Sequence, residues 1–247
     1  MKYMGSKSRI AKYILPIIQQ RLEDYKLHTY VEPFCGGCNV IDKVVCEKKI
    51  ACDKSEYLIA LWNNMCNISQ LPEFVTKEHY EDVKKSYIQK DNRFPDWYIG
   101  AVGFLASYNG KFFDGGYAGF AKTKLGTIRN YYDEAKRNLE KQIESMRNVE
   151  FRCGDYRKTC SDFVDAVIYC DPPYKDTTNY KTGIDFNHDE FWDWCREMSE
   201  RNIVLVSEHS AKDDFECIWE MPIKRTLDNN KRSIAVERLF EIDEYAL

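Results

Sequence analysis

This 247-residue chain has no long apolar run, no excess of basic charge, and little proline or glycine. Its opening stretch, MKYMGSKSRIAKYILPIIQQ, is interrupted by Lys and Arg, so neither a signal peptide nor a membrane span is predicted. Seven prolines, twelve glycines and no low-complexity tract argue against extensive disorder. No internal repeat of solenoid or propeller length is found. With 36 basic against 40 acidic residues the formal charge is −4, which disfavours a protein that coats nucleic acid by bulk charge. What is present is apolar and aromatic: 44% hydrophobic residues and 14% aromatics are enough for a core that needs no metal or disulfide. The ten cysteines are therefore expected to be reduced thiols of a cytoplasmic protein.

The pattern alternates helices and strands. Ile10, Tyr13, Ile14, Ile17, Ile18 and Leu22 form a helical stripe over residues 8–25, with Ser6 or Ser8 as cap and a kink expected at Pro16. Residues 29–31 read as a strand, 33–38 as a tight loop, 39–47 as a helix, 49–53 as a strand and 55–69 as a helix. Helices follow near 77–90, 95–107 and 131–147, around a Gly- and aromatic-rich stretch at 107–120. Strands return at 149–153, 166–170, 203–207, 217–219 and 234–240. This predicts an α/β fold with a mostly parallel sheet covered on both faces. Its core comprises residues 1–69 and 148–247, and 70–147 forms a mostly helical insertion.

Two segments carry chemistry. Glu32-Pro33-Phe34-Cys35-Gly36-Gly37-Cys38 places a Gly pair between a strand and the next element, where backbone can approach a ligand closely. Asp53 lies 17 residues beyond Gly36, at the end of the next strand. That spacing suits an acid accepting from ribose hydroxyls, although a helix cap would suit it too. The second segment is the apolar run 166–170 ending in Asp171-Pro172-Pro173-Tyr174. The prolines stiffen the turn and remove two donors, leaving carbonyls and the Asp171 carboxylate free to accept from an amino group. Tyr174 adds a flat ring on which the base bearing that amine can stack.

These motifs, in this order, resemble the Dam-like S-adenosylmethionine-dependent DNA adenine-N6 methyltransferases of bacteria and their phages. The resemblance spans nearly the whole chain. Tyr3-Met4-Gly5-Ser6-Lys7 matches the family's N-terminal cofactor motif, the Phe34–Gly37 loop its Phe-x-Gly-x-Gly pattern, Asp53 its ribose acid and Asp171–Tyr174 its catalytic motif. Cys38 departs from the pattern, which has Gly there. The resemblance implies a Rossmann-like methyltransferase sheet and S-adenosylmethionine bound by Tyr3, Lys7, Phe34, Gly36, Asp53, Asp155 and Asp171. It also implies adenine flipped out of double-stranded DNA, with N6 held by Asp171 and the Pro172 carbonyl and the base stacked on Tyr174. The insertion becomes the target-recognition module. Restriction–modification, stand-alone methylation and protection of phage DNA are the settings it leaves open. No metal is implied, and a monomer or weak dimer is expected.

Charge locates a DNA-facing surface despite the acidic total. Residues 111–132 carry Lys111, Lys122, Lys124 and Arg129 against Asp114, a net +3, interleaved with aromatics. Residues 224–232, with Lys231 and Arg232, carry a second net +3. Asn109 joins the first group as a polar residue of the Gly-rich stretch. Rival readings fare less well. One Cys-x-x-C pair without a second pair or histidine ligand spacing does not make a zinc or redox site. Ser207-Glu208-His209-Ser210 lacks a nucleophile elbow and reads as a strand-end loop beside the substrate cleft. No Pro-Cys pair supports a cytosine-C5 methyltransferase. An RNA adenine or guanine methyltransferase shares the four-residue motif, and a catalytically silent DNA-binding relative would share the fold.

Overall fold

The computed structural model describes residues 1–123, 125–174, 186–224 and 234–242. Helices α1 (Ala11–Asp24), α2 (Glu56–Asn63), α3 (Lys77–Gln89), α4 (Asp96–Leu105), α5 (Tyr131–Met146), α6 (Tyr156–Thr159) and α7 (His188–Ser199) surround a central sheet. Its strands are β1 (Thr29–Glu32), β2 (Lys48–Asp53), β5 (Val149–Cys153), β6 (Ala166–Cys170), β7 (Ile203–Glu208), β8 (Phe215–Lys224) and β9 (Ile234–Ile242). Their spatial order is β5-β2-β1-β6-β7-β9-β8. The first five are mutually parallel; β9 is antiparallel to β7 and to β8. This is the α/β, mostly parallel architecture the pattern predicted.

Period-two alternation explains why the inner strands are apolar on both faces. Tyr30, Ala51, Val167, Tyr169 and Leu205 enter one core, whereas Val31, Ile50, Cys52, Ile168, Val204 and Val206 enter another on the opposite face. The first core is covered by α1, α2, α4 and α5; the second by α7, through Phe191, Trp192, Trp194 and Met198, with Tyr156 and Phe163 beside it. Helix starts follow capping chemistry. Thr76, Asn130 and Asn187 each accept backbone N–H groups of the following turn, and acids occupy the first turns of α3, α5 and α7.

Several expectations need correction. Residues 39–43 form turns and 44–47 run on without regular structure, so no helix is present. The carbonyls of Gly37 and Cys38, which would begin its hydrogen-bond ladder, accept from the buried Gln142 side chain at 3.1 and 2.7 Å. The helix expected over 55–69 ends at Asn63, where the Asn64 side chain donates to the Ala60 carbonyl (2.8 Å), and a 3₁₀ turn continues over Met65–Gln70. Helix α1 runs unbroken through Pro16; Pro16 and Lys12, whose carbonyl loses its donor, are exposed, so water can serve it. Unforeseen was the hairpin of β3 (Phe120–Lys122) and β4 (Ile128–Asn130), three-residue strands closed through Thr123 and Thr127.

The middle of the chain is built into the first core. A Cβ on Gly100 of α4 would lie 2.1 Å from the Tyr57 carbonyl oxygen of α2, so the two helices meet backbone to backbone. By contrast, Lys122, Leu125, Ile128 and Arg129 around the hairpin tip are exposed.

Candidate active site

A parallel sheet collects the carboxyl ends of its strands along one edge. Here β1 ends at Glu32, β2 at Asp53 and β7 at Glu208, and Asp171 directly follows β6. Asp155 follows β5 two residues on. Connections leave the sheet at this edge, so it is where a ligand cleft forms. Glu32 is fully enclosed, and burial pushes its carboxyl pKa up to about 8 although the Tyr30 hydroxyl donates to it at 2.8 Å.

The loop after β1 is tied to β2. Asp53 accepts from the Gly36 N–H (3.0 Å) and the Ser55 N–H (2.9 Å), tying the loop to the turn before α2, whose N-cap is Ser55 and not Asp53. Burial raises its pKa against those hydrogen bonds. The glycines are required by Tyr3. A Cβ on Gly36, whose φ is +46°, would come within 2.8 Å of the Tyr3 ring, and one on Gly37 within 2.7 Å of the Tyr3 Cβ. Cys38 sits at φ +54°, a left-handed conformation that favours glycine and costs an L-residue roughly 1 kcal/mol. The family pattern's Gly at this position thus has a backbone reason, and this chain accommodates the strain with a small side chain.

Lys7 and Asp171, 164 positions apart, meet. Lys7 lies in a 3₁₀ turn over Lys7–Arg9, and its Nζ is 2.9 Å from Asp171 Oδ1 and 3.6 Å from Glu237 Oε2. Burial alone would lower the Lys7 pKa, but the two carboxylates outweigh it and hold the pKa above its usual value. Burial raises that of Asp171, with Lys7 opposing. The Lys7 ammonium also stands 4.3 Å from the Tyr174 ring centroid. The Tyr174 hydroxyl donates to Glu237 (2.7 Å), and its ring meets His209 edge-on at 4.6 Å. Pro172 is buried and Pro173 exposed, so the motif turns outward between them.

The remaining expected residues fall on either side. Phe34 joins Tyr156, Phe186 and Phe191 in an aromatic wall with centroids 5.2–5.8 Å from its own. Asp155 caps α6 through the Arg157 N–H and pairs with Arg157 Nε at 2.9 Å; that hydrogen bond holds its pKa low. Asn109 and Lys111 flank Gly110, where a Cβ would lie 2.4 Å from the Lys2 carbonyl oxygen, so this turn leans on the N-terminal motif. Lys122 and Arg129 lie on the hairpin, Arg129 paired with Glu134 (2.7 Å) and set over the Tyr131 ring. Lys124, Lys231 and Arg232 lie outside the described residues. Sequence reasoning missed Glu237, for which the rule of parallel strand ends holds no signal, and Lys2, which stands over the Tyr131 ring.

The site suits S-adenosylmethionine. An edge lined by carboxylates matches a ligand bearing a sulfonium, an ammonium and ribose hydroxyls. Among the described residues, no three His, Cys, Asp or Glu side chains converge as metal ligands.

Comparison with known proteins identifies the family. The chain is 24% identical to the type II methyltransferase M.MjaIII of Methanocaldococcus jannaschii, over 87% of this chain and 85% of that protein. It is 25% identical to the type II methyltransferase M.FokI of Planomicrobium okeanokoites, over 85% of this chain and 33% of that one. It is 29% identical to a DNA adenine methylase of Vibrio cholerae, over 70% of this chain and 64% of that one. The model of the D12 class N6 adenine-specific DNA methyltransferases matches residues 3–212, from the N-terminal motif to beyond His209. With that span covering the loop, the acid and the Asp171–Tyr174 motif alike, the chain belongs to the D12 class N6 adenine-specific DNA methyltransferases, enzymes that move a methyl group from S-adenosylmethionine to adenine N6 in DNA.

Proposed function

We propose that Asp171–Tyr174 receives an adenine flipped from double-stranded DNA and that Tyr3, Lys7, Phe34, Gly36, Asp53 and Asp155 surround the methyl donor. The observation carrying this reading is the Lys7–Asp171 pair at 2.9 Å, which joins the N-terminal motif to the catalytic motif at the carboxyl edge. Asp53 accepts from ribose hydroxyls, and the Phe34 wall takes the flat adenine of the donor. When bound, S-adenosylmethionine supplies an electrophilic methyl group, and its sulfur retains the bonding electron pair.

The chain's own residues prepare the amine. Adenine N6 is a weak nucleophile because its lone pair is delocalised into the ring. Asp171 and the Pro172 carbonyl accept its two hydrogens and favour a tetrahedral nitrogen whose lone pair points out of the ring. Asp171 then takes the surplus proton once N6 carries the methyl group, and releases it to water. Tyr174 stacks on the base, offsetting part of the few kcal/mol lost on unstacking it. Fixed geometry contributes further acceleration.

Residues 70–147 serve as the recognition insertion, with Asn109, Lys111, Lys122, Lys124 and Arg129 toward DNA and Lys231 and Arg232 on a second basic segment. The enzyme works in the cytoplasm as a monomer or weak dimer; no helix among the described residues is long and apolar enough to cross a membrane. Expression in a methylation-free host, with base-resolved detection of N6-methyladenine, tests the reading. Wild-type protein should mark adenines in a defined DNA sequence context, and Asp171→Ala should leave none. Equal marking by both would overturn the catalytic assignment.

A further inference from the structure

Glu237 lies on β9, the strand that returns antiparallel beside β7. Glu208 at the carboxyl end of β7 pairs with Arg238, so Glu237 stands one residue beyond, level with the edge where Asp171 emerges. Its side chain is 11% exposed, and one oxygen serves both the Tyr174 hydroxyl (2.7 Å) and the Lys7 ammonium (3.6 Å). A buried carboxylate is expensive unless it is paired, and this one finds its pairing in two residues of the proposed catalytic group.

We propose that Glu237 is a positioning residue for methyl transfer, bracing the Tyr174 ring and leaving the Lys7–Asp171–Glu237 cluster with one net negative charge. The proposal rests on the reading that Asp171 and Tyr174 receive the adenine. Lys7 by itself would neutralise Asp171, and the pair would offer the reacting amine hydrogen-bond geometry but little field. The second carboxylate restores a negative charge beside the nitrogen that becomes cationic as its bond to the methyl carbon forms. Burial raises the pKa of Asp171 and Lys7 opposes it; the Glu237 charge adds a smaller upward push by like-charge repulsion. The hydroxyl contact holds the Tyr174 ring at one end, and the ring also meets the Lys7 ammonium and the edge of His209.

Glu237→Gln keeps an acceptor for Tyr174 and removes the charge. In single-turnover assays with saturating DNA and S-adenosylmethionine, it should slow methyl transfer ~10–100-fold. The acid limb of its pH–rate profile should move to lower pH, while dissociation constants and the melting temperature stay near wild type. An unchanged rate, an unmoved acid limb, or a rate loss that tracks a fall in melting temperature each overturns the proposal. If Glu237→Gln does not fold, Glu237→Asp decides: it keeps the charge, so its acid limb should coincide with wild type, and a shift overturns the proposal. Asp171→Ala separates the two levels. Should it retain activity, the catalytic reading falls and takes this inference with it; should it be inactive while Glu237→Gln is wild type, only the role of Glu237 falls.

Discussion

At the carboxyl edge of the sheet, charged groups are enclosed and hold one another. Lys7 touches two carboxylates, and Asp53 accepts two backbone N–H groups. On the β3–β4 hairpin, Lys122 is exposed, and Arg129 is held by a surface pair with Glu134 and by a tyrosine face. Enclosure makes each group at the edge matter individually, because a lost partner leaves a buried charge behind. Exposure makes hairpin charges interchangeable, weak one at a time and sensitive to salt. If the proposed function holds, the first surface serves chemistry on a single atom and the second contact with a long polyanion.

The contrast sets an order of expected effects. Asp171→Asn removes the proton acceptor and should lower the single-turnover rate ~1,000-fold with DNA affinity nearly intact. A loss confined to DNA binding would break the distinction. Asp53→Asn should weaken binding of the methyl donor ~10-fold or more, read by calorimetry, since it replaces a charged acceptor by a neutral one. Glu32→Gln tests enclosure itself. A buried carboxyl with its pKa raised to about 8 favours folding in its neutral form, so its support is complete below about pH 4.5 and is lost as pH rises toward 8. Melting temperatures of wild type and Glu32→Gln should therefore converge at low pH, and the variant should be the more stable near pH 8. Lys122→Ala and Arg129→Ala should show the smallest effects. Each should reduce the slope of log affinity against log salt by about 0.9 and leave the rate at saturating DNA unchanged. A rate effect as large as that of Asp171→Asn would erase the boundary between the two regions.

Legibility in the sequence follows the same division. Strands buried on both faces announce themselves as apolar runs, which is why β6 and β7 stood out, whereas the edge strand β5, with Glu150 and Arg152, carries no such run. Asp53 and Asp171 were found because strand ends in a parallel sheet have a positional meaning. Glu237 escaped that rule because β9 runs the other way. Where a helix was expected over 39–47, the Gly37 and Cys38 carbonyls accept instead from Gln142, more than a hundred positions on, a tertiary contact that no local pattern carries. The hairpin escaped because strands of three residues carry no period. Its charges were readable as composition, but their placement on paired strands was not.

The dipeptide Lys2–Tyr3 has a consequence of its own. On one side the Tyr3 ring fills the space that glycine leaves at positions 36 and 37; on the other, Gly110 presses on the Lys2 carbonyl. The wall between the Gly36–Gly37 loop and the turn bearing Asn109 and Lys111 is thus two residues thick, with no slack for even one added methyl group on either side. A partition that thin transmits displacement instead of absorbing it. A side chain added at Gly36 or at Gly110 must push on the same dipeptide, so strain introduced on one side is carried to the other.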